Sequence, residues 1–409
     1  CWIYACTMCA AVTTTAQTQV TDTLKLVSYN ALNFENTPSN NRAVYFRTVL
    51  AELEPDILMV QELIDGSGAA LFRDSVMVAL DTNYAMAPFL SSFDTDRNIF
   101  FRKDKLEVLE TNRIDTELRD IQQYRIRHLE SATEFYVFTL HLKATSGDDA
   151  QRAREVDSLL KVTSMLPDSI PFIVGGDFNI YDENEPAYNN LLDASQPGYF
   201  IDPLQDSLST FWNNAGNARF HTQSTRTRSF GGGSTGGLDD RFDMILFSPA
   251  AYDGEKMKYI DGSTFAYGND GNHYNDSINS PPVTAVSAAI ADALHKASDH
   301  LPLVAEVVMF FAADTVINDT TISSIGNATD RVTLHVFPQP AFHTFQLQTA
   351  YNWDKLTIYS LDGKVRLTWG NIPAGWTSYA VESLPAGYYL LVAEGEAGQV
   401  VRPLVLGAD

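Results

Sequence analysis

The chain reads as an α/β protein followed by a smaller all-β module. Three observations carry that reading. Apolar runs of strand length recur along most of the chain, each with a polar residue at one end. Segments with apolar residues at helical spacing lie between them. After about residue 311 the helical pattern stops and short alternating strands take over.

Taken in order, residues 24–29 form the first apolar run, which ends at Asn30. Residues 42–53 place Ala43, Phe46, Val49, Leu50 and Leu53 at helical spacing, with Ser39 or Asn40 positioned to cap the start. Residues 56–61 make a strand ending at Glu62, and residues 69–80 a second helix. The run 135–140 ends at His141, and a helix over 151–165 is stopped by Pro167.

The run Ile170-Pro171-Phe172-Ile173-Val174 then leads into Gly175-Gly176-Asp177-Phe178-Asn179. Strand alternation turns Asp177 and Asn179 to one side and Phe178 to the core. The two glycines would let a ligand approach the backbone closely. Residues 221–240 are polar and glycine-rich and read as a long loop, either a plain surface loop or one carrying substrate contacts. Asp243 stands near the start of the strand 242–247. An Ala-rich helix over 284–296 precedes Ser298-Asp299-His300-Leu301-Pro302 at the head of the last apolar strand.

Six strand ends bearing carboxylates, imidazoles and carboxamides are hard to explain by core packing. A buried carboxylate costs on the order of several kcal/mol unless it is paired or metal-bound. An Asp that can hold a water and an Asn that can donate to an oxyanion suit hydrolysis of a phosphate ester.

As an ordered set, Ser28-Tyr29-Asn30, Val60-Gln61-Glu62, Thr139-Leu140-His141-Leu142, the Gly175–Asn179 pentapeptide, Arg241-Phe242-Asp243 and Ser298-Asp299-His300-Leu301-Pro302 resemble the endonuclease/exonuclease/phosphatase superfamily, which includes DNase I-like nucleases. The likeness covers residues 22–311. It implies a four-layer α/β sandwich, two packed sheets flanked by helices, with a metal-dependent phosphoesterase site at one edge.

On that likeness Glu62, with Asn30 beside it, and Asp299 would be metal ligands for Mg²⁺ or Mn²⁺, with Ca²⁺ as a further candidate. Asp177 would orient and deprotonate the attacking water. Asn179 and His141 would donate to transition-state oxygens. His300 would contact the phosphate as imidazolium or general acid, and Asp243 would hold its far nitrogen and raise its pKa. Arg102, in Phe100-Phe101-Arg102-Lys103-Asp104, resembles the family's phosphate-contacting Arg.

Composition sets bounds on partners. A length of 409 residues prompts a search for two domains, and 45% hydrophobic residues exclude wholesale disorder. A net charge of −23 argues against a standing basic surface for unselective nucleic-acid binding, though local cations and a metal can still hold a phosphate. Cys1, Cys6 and Cys9 are the three cysteines, so the rest of the chain carries neither disulfides nor a thiolate metal site. Residues 1–16 resemble the remnant of a signal peptide, with Thr14-Thr15-Ala16 as a small-x-small site before Gln17. A lipoprotein reading at Cys6 or Cys9 fits less well, because Tyr4 and Met8 stand where small residues are wanted. No later run has membrane-spanning length, so no stable membrane insertion is expected.

Residues 312–333 read as a polar linker, and 334–409 as a small β-sandwich with turns such as Asp362-Gly363. Val336-Phe337-Pro338-Gln339-Pro340, Ile358-Tyr359-Ser360-Leu361-Asp362-Gly363-Lys364 and Leu384-Pro385-Ala386-Gly387-Tyr388-Tyr389 resemble the C-terminal sorting domain of type IX secretion cargo in Bacteroidetes, with Gln339 in place of the usual Asn. That likeness implies the type IX machinery as a partner and a secreted or cell-surface protein. A carbohydrate-binding or adhesive module is the alternative.

The expected activity is that of a secreted divalent-metal-dependent phosphodiesterase, most simply a nuclease acting on extracellular DNA or RNA. A sphingomyelinase-like or nucleotide/inositol phosphatase activity, or a non-catalytic binding protein on the same fold, stays open.

Overall fold

The computed structural model describes residues 19–37, 40–209, 211–312, 334–337, 341, 343–349, 352–360, 364–395 and 398–407. The expected signal-peptide remnant, the linker beyond Ala312, the segment 338–340 with Gln339, and the Asp362-Gly363 turn lie outside the described residues. The chain divides into two compact units between Val316 and Ile317.

Among the described residues the first unit contains twelve strands: β1 (Gln19–Phe34), β2 (Ile57–Leu63), β3 (Tyr84–Met86), β4 (Asp96–Arg102), β5 (Leu106–Ile114), β6 (Ile121–His128), β7 (Glu134–His141), β8 (Phe172–Asp177), β9 (Asp243–Phe247), β10 (Met257–Tyr259), β11 (Phe265–Ala266) and β12 (Leu303–Ala312). They build two mixed sheets. The first runs β10-β12-β1-β2-β4-β3, with β11 also on β12, and the second runs β5-β6-β7-β8-β9. The inner faces of the sheets share one apolar core, in which Leu26, Ile57, Met59 and Ile99 meet Tyr124, Val137, Ile173 and Ile245. The outer face of the first sheet buries Tyr29, Phe34, Val60 and Phe100 under the helices Ala43–Leu53 and Ala288–Ala297 and a helical stretch from Asp65 to Leu80. The outer face of the second sheet buries Phe138, Val174 and Leu246 under the helices Asp149–Thr163 and Pro186–Leu191. This is the four-layer sandwich expected from the sequence.

Two local expectations need correction. The helix Ala43–Leu53 has Arg42 at its N-cap with no side-chain cap, because Asn40 accepts from the Arg42 N–H and stays outside the helix. The second helix begins at Asp65, four residues before its first apolar pair, because Asp65 Oδ1 accepts from the N–H groups of Ser67 and Gly68 and so starts the turn.

A buried polar clip ties the two sheets together beneath the site. Gln61 Nε2 donates to Thr139 Oγ1 at 3.0 Å across the inter-sheet gap, and Ser28 Oγ donates to Gln61 Oε1 at 3.4 Å. Each clip residue thus finds a partner, as a polar group buried in an apolar core requires.

Among the described residues the second unit has seven further strands: β13 (Leu334–Phe337), β14 (Thr344–Thr349), β15 (Trp353–Ser360), β16 (Val365–Ile372), β17 (Gly375–Ala380), β18 (Gly387–Gly395) and β19 (Gly398–Leu406). They form antiparallel sheets β13-β14-β17 and β16-β15-β18-β19 around a core that includes Phe345, Trp353, Ile358, Leu391 and Leu404. Among the described residues no helix is long and apolar enough to cross a membrane.

Candidate active site

One rim of the sandwich gathers strand ends from both sheets. His141 at the end of β7, Asp177 at the end of β8 and Asp243 at the start of β9 are direct neighbours in register. Asn30 and Glu62 reach the same rim from β1 and β2, while Asp299 and His300 precede β12. Parallel pairing of β1 with β2 and of β7 with β8 is what brings these C-terminal ends to one side.

Glu62 owes its direction to a bulge. The pairing of β2 with β4 shifts between Val60 and Leu63, and Glu62 takes a left-handed φ of 56°. Bulges re-aim side chains in this way at sheet rims. The carboxylate turns inward, where Oε2 accepts from the Asn33 N–H at 3.0 Å and Oε1 from Asn30 Nδ2 at 2.9 Å.

Asn30 is a bridge between carboxylates. Its Nδ2 also donates to Asp177 Oδ2 at 3.0 Å, and its Oδ1 accepts from the Leu32 N–H at 2.9 Å. The amide thus turns its donor to the acidic groups, which would hold a cation, and its oxygen to the backbone.

Asn179 joins the site by a route that strand alternation did not describe. β8 ends at Asp177, and Asn179 sits in a left-handed turn with φ 50°. Its N–H donates to Asp177 Oδ1 at 3.1 Å, and its Nδ2 to the Leu142 carbonyl at 3.2 Å. Phe178 is buried, as expected. The two preceding glycines serve packing and not ligand approach. A Cβ on Gly176 would stand 2.1 Å from the Leu140 carbonyl oxygen, and one on Gly175 would stand 2.5 Å from Met59 Cε.

Asp243 and His300 form the expected pair, with Oδ2 and Nδ1 2.7 Å apart. His300 Nε2 lies 3.6 Å from Asp177 Oδ2, and His141 Nε2 lies 3.5 Å from the same oxygen. Asp299 Oδ2 accepts from the Ser234 N–H at 2.6 Å and faces the Gln223 amide, which also contacts His300 Nε2. Gln223 had no signal in the sequence, because it lies in the 221–240 loop and only the return of that loop against His300 gives it a role.

The electrostatics follow from burial. Asp243, His300 and Asp177 are 0%, 1% and 2% exposed, so the charged groups lie at the buried floor of a polar pocket. Burial opposes charge on His300, but the Asp243 and Asp177 carboxylates outweigh it and hold the imidazole charged well above its ordinary range. Burial, seconded by the positive charges of Arg119 and Arg97, pushes His141 well below its ordinary range and keeps it neutral. Burial raises Glu62 against the Asn30 hydrogen bond, and burial with the nearby Asp243 and Glu62 charges raises Asp177 to about 7.

Arg102 is not part of the site. β4 runs antiparallel to β2, so Asp96 lies beside Leu63 at the site rim while Arg102 lies beyond Ile57 at the far end of the sheet. Arg102 pairs there with Asp81 at 3.1 Å and Asp104 at 2.9 Å, over the Tyr84 ring. Arg97 occupies the site end of β4 instead, fully buried and without a hydrogen-bond partner among the described residues.

The pit fits a divalent cation. Glu62, Asp177, Asp243 and Asp299 bring four carboxylates against one charged imidazole. Glu62, His141 and Asp177 offer ligand atoms within 4.8 Å of one another. Asp299 Oδ1 is buried with no partner among the described residues. Oxygen donors of this kind suit a hard cation.

Two packed sheets flanked by helices, with carboxylates and imidazoles gathered at one rim, define a protein of the α/β sandwich class. The model of the Endonuclease/Exonuclease/phosphatase family matches residues 27–300, and the chain belongs to that family. Family members are phosphoric ester hydrolases that use divalent metals. A search of curated proteins gives no match. Solved structures similar to this chain include D. rerio TDP2 complexed with a single-strand DNA product, at 18% identity over 70% of this chain and 98% of that one, with TM-score 0.47. The human nocturnin catalytic domain with bound sulfate is 17% identical over 71% and 97%, with TM-score 0.46. A family protein from Bacteroides thetaiotaomicron is 17% identical over 71% and 99%, with TM-score 0.45.

Proposed function

We propose that the protein is a phosphodiesterase dependent on Mg²⁺ or Mn²⁺ and acting as a nuclease. The observation that carries this reading is the convergence of Asp177, Asn179, His141 and His300, the last backed by Asp243, on one pocket of about 280 Å³. Asp177, poised near neutrality, takes a proton from the attacking water as its oxygen bonds to phosphorus. His300, held charged by Asp243, faces the phosphoryl oxygens and can return a proton to the departing oxygen. Neutral His141 and the Asn179 carboxamide add donors without adding charge. Glu62 would hold the cation, with Asp299 across the pocket. When bound, such a cation supplies a Lewis acid for a phosphoryl oxygen.

The test is hydrolysis of plasmid DNA, RNA and bis(4-nitrophenyl) phosphate by purified protein, with Mg²⁺, Mn²⁺, Ca²⁺ or EDTA. The expected result is metal-dependent cleavage that Asp177→Asn lowers by roughly 10²–10⁴-fold. Sphingomyelin, nucleotides and inositol phosphates belong in the same panel, and preference for one of them would replace the nuclease reading. Absence of hydrolysis on every substrate would favour a binding protein.

We also infer that the second unit serves export. The likeness of its motifs to type IX sorting domains and the signal-like residues 1–16 support a secreted or cell-surface location. Fusion of residues 334–409 to a reporter in a bacterium with that machinery tests this, and a reporter retained in the cell would reject it.

A further inference from the structure

Beside the catalytic pocket lies a larger cavity of about 630 Å³, a size suited to a nucleotide-scale ligand. The two share Leu32, Asn33 and Gly233, so they open side by side. The sill between them is thin by necessity. Gly233 has φ 79°, and a Cβ there would lie 2.6 Å from Asp299 Oδ2 and 2.8 Å from Leu32 Cδ1.

Two features of this cavity point to its occupant. The first is charge. Arg42 donates to the carbonyls of Ala31, Leu32, Asn33 and Ala297, and Arg226 to those of Phe230, Gly232 and His295. Neither guanidinium has a carboxylate partner among the described residues. Carbonyls fix the two groups without pairing either charge to a carboxylate, in a chain whose net charge is −23, and Lys296 and Glu35 line the same cavity. The second is an aromatic surface. Phe230 lines the same cavity, backed by Arg226 at 5.3 Å and His295 at 5.2 Å from its ring centre, yet it is 45% exposed.

We propose that this cavity seats the nucleotide adjoining the scissile phosphate. Its base stacks on Phe230, and its own phosphate faces the joint field of Arg42 and Arg226. The proposal rests on the nuclease reading and narrows it, since the best substrate is a nucleic-acid chain and not a compact diester. Stacking on an aromatic face accepts any base, so the subsite confers chain recognition without sequence preference.

The experiment compares kcat/KM of the full chain for a tetrathymidylate and for methyl 4-nitrophenyl phosphate, a diester whose non-leaving group has no ring to stack. Phe230→Ser should lower the ratio of the two about ten- to hundredfold, the range for loss of one base stack. Phe230→Trp should restore it. Anisotropy of a fluorescein-labelled tetrathymidylate on Asp177→Asn should show the same loss when Phe230→Ser is added. A ratio within twofold of the parent in Phe230→Ser, or equal loss on both substrates, overturns the subsite. A parent protein inactive on both substrates would overturn the catalytic reading beneath it.

Discussion

Asp243 Oδ2 sits 2.7 Å from His300 Nδ1 with both side chains buried, and this contact sets the charge of the site. Asp243→Asn removes the main partner of the imidazolium. It should lower kcat far more than it raises KM. His300 is held charged to high pH by Asp243, so its loss should move the basic limb of the pH–rate profile to lower pH. A parent-like profile with near-normal kcat would make the pair structural.

Glu62 and Asp177 share the Asn30 bridge but are assigned different work. Glu62→Gln should weaken metal affinity, and raised Mg²⁺ or Mn²⁺ should recover part of the rate. Asp177→Asn should lose roughly 10²–10⁴-fold, without rescue. A metal titration of both variants reads the difference, and rescue of Asp177→Asn alone would invert the assignment.

Burial also makes Asp177 a stability switch in the metal-free protein. Its pKa rises from 3.8 to about 7 on folding, so its stabilising share is full below pH 4 and is lost as pH rises through 7. In EDTA, Tm should therefore fall between pH 5 and 8 for the parent, and less for Asp177→Asn. Added Mg²⁺ should restore Tm at pH 8. Equal pH dependence in the two proteins would remove Asp177 from this account.

Gly176 has no room for a methyl group, whereas the atom opposing Gly175 is the end of a flexible Met59. Gly176→Ala should lower Tm by more than about 5 °C, and Gly175→Ala by much less. Calorimetry of the two variants checks the order.

Arg102 lies at the far end of its sheet and is partly exposed. Arg102→Ala should keep kcat/KM within about twofold and cost at most about 1 kcal/mol, as for other surface ion pairs. A large loss of activity would place phosphate contact at that end after all.

The sequence by itself determined the layered class and most of the site. Apolar runs ending in Asn30, Glu62, His141 and Asp177, and the Asp299-His300 pair ahead of β12, mark one rim because strand polarity is local information. Tertiary structure decided what each group faces. Antiparallel pairing of β4 sent Arg102 away and brought Arg97 in. The hydrogen bond from the Leu32 N–H fixed which end of the Asn30 amide meets the carboxylates. The return of the 221–240 loop supplied Gln223 and Phe230, and burial, not any local pattern, shifts Asp177 and His141. Those outcomes depend on pairing direction, long-range hydrogen bonds and burial, which arise between segments distant in sequence and leave no periodicity within any one of them.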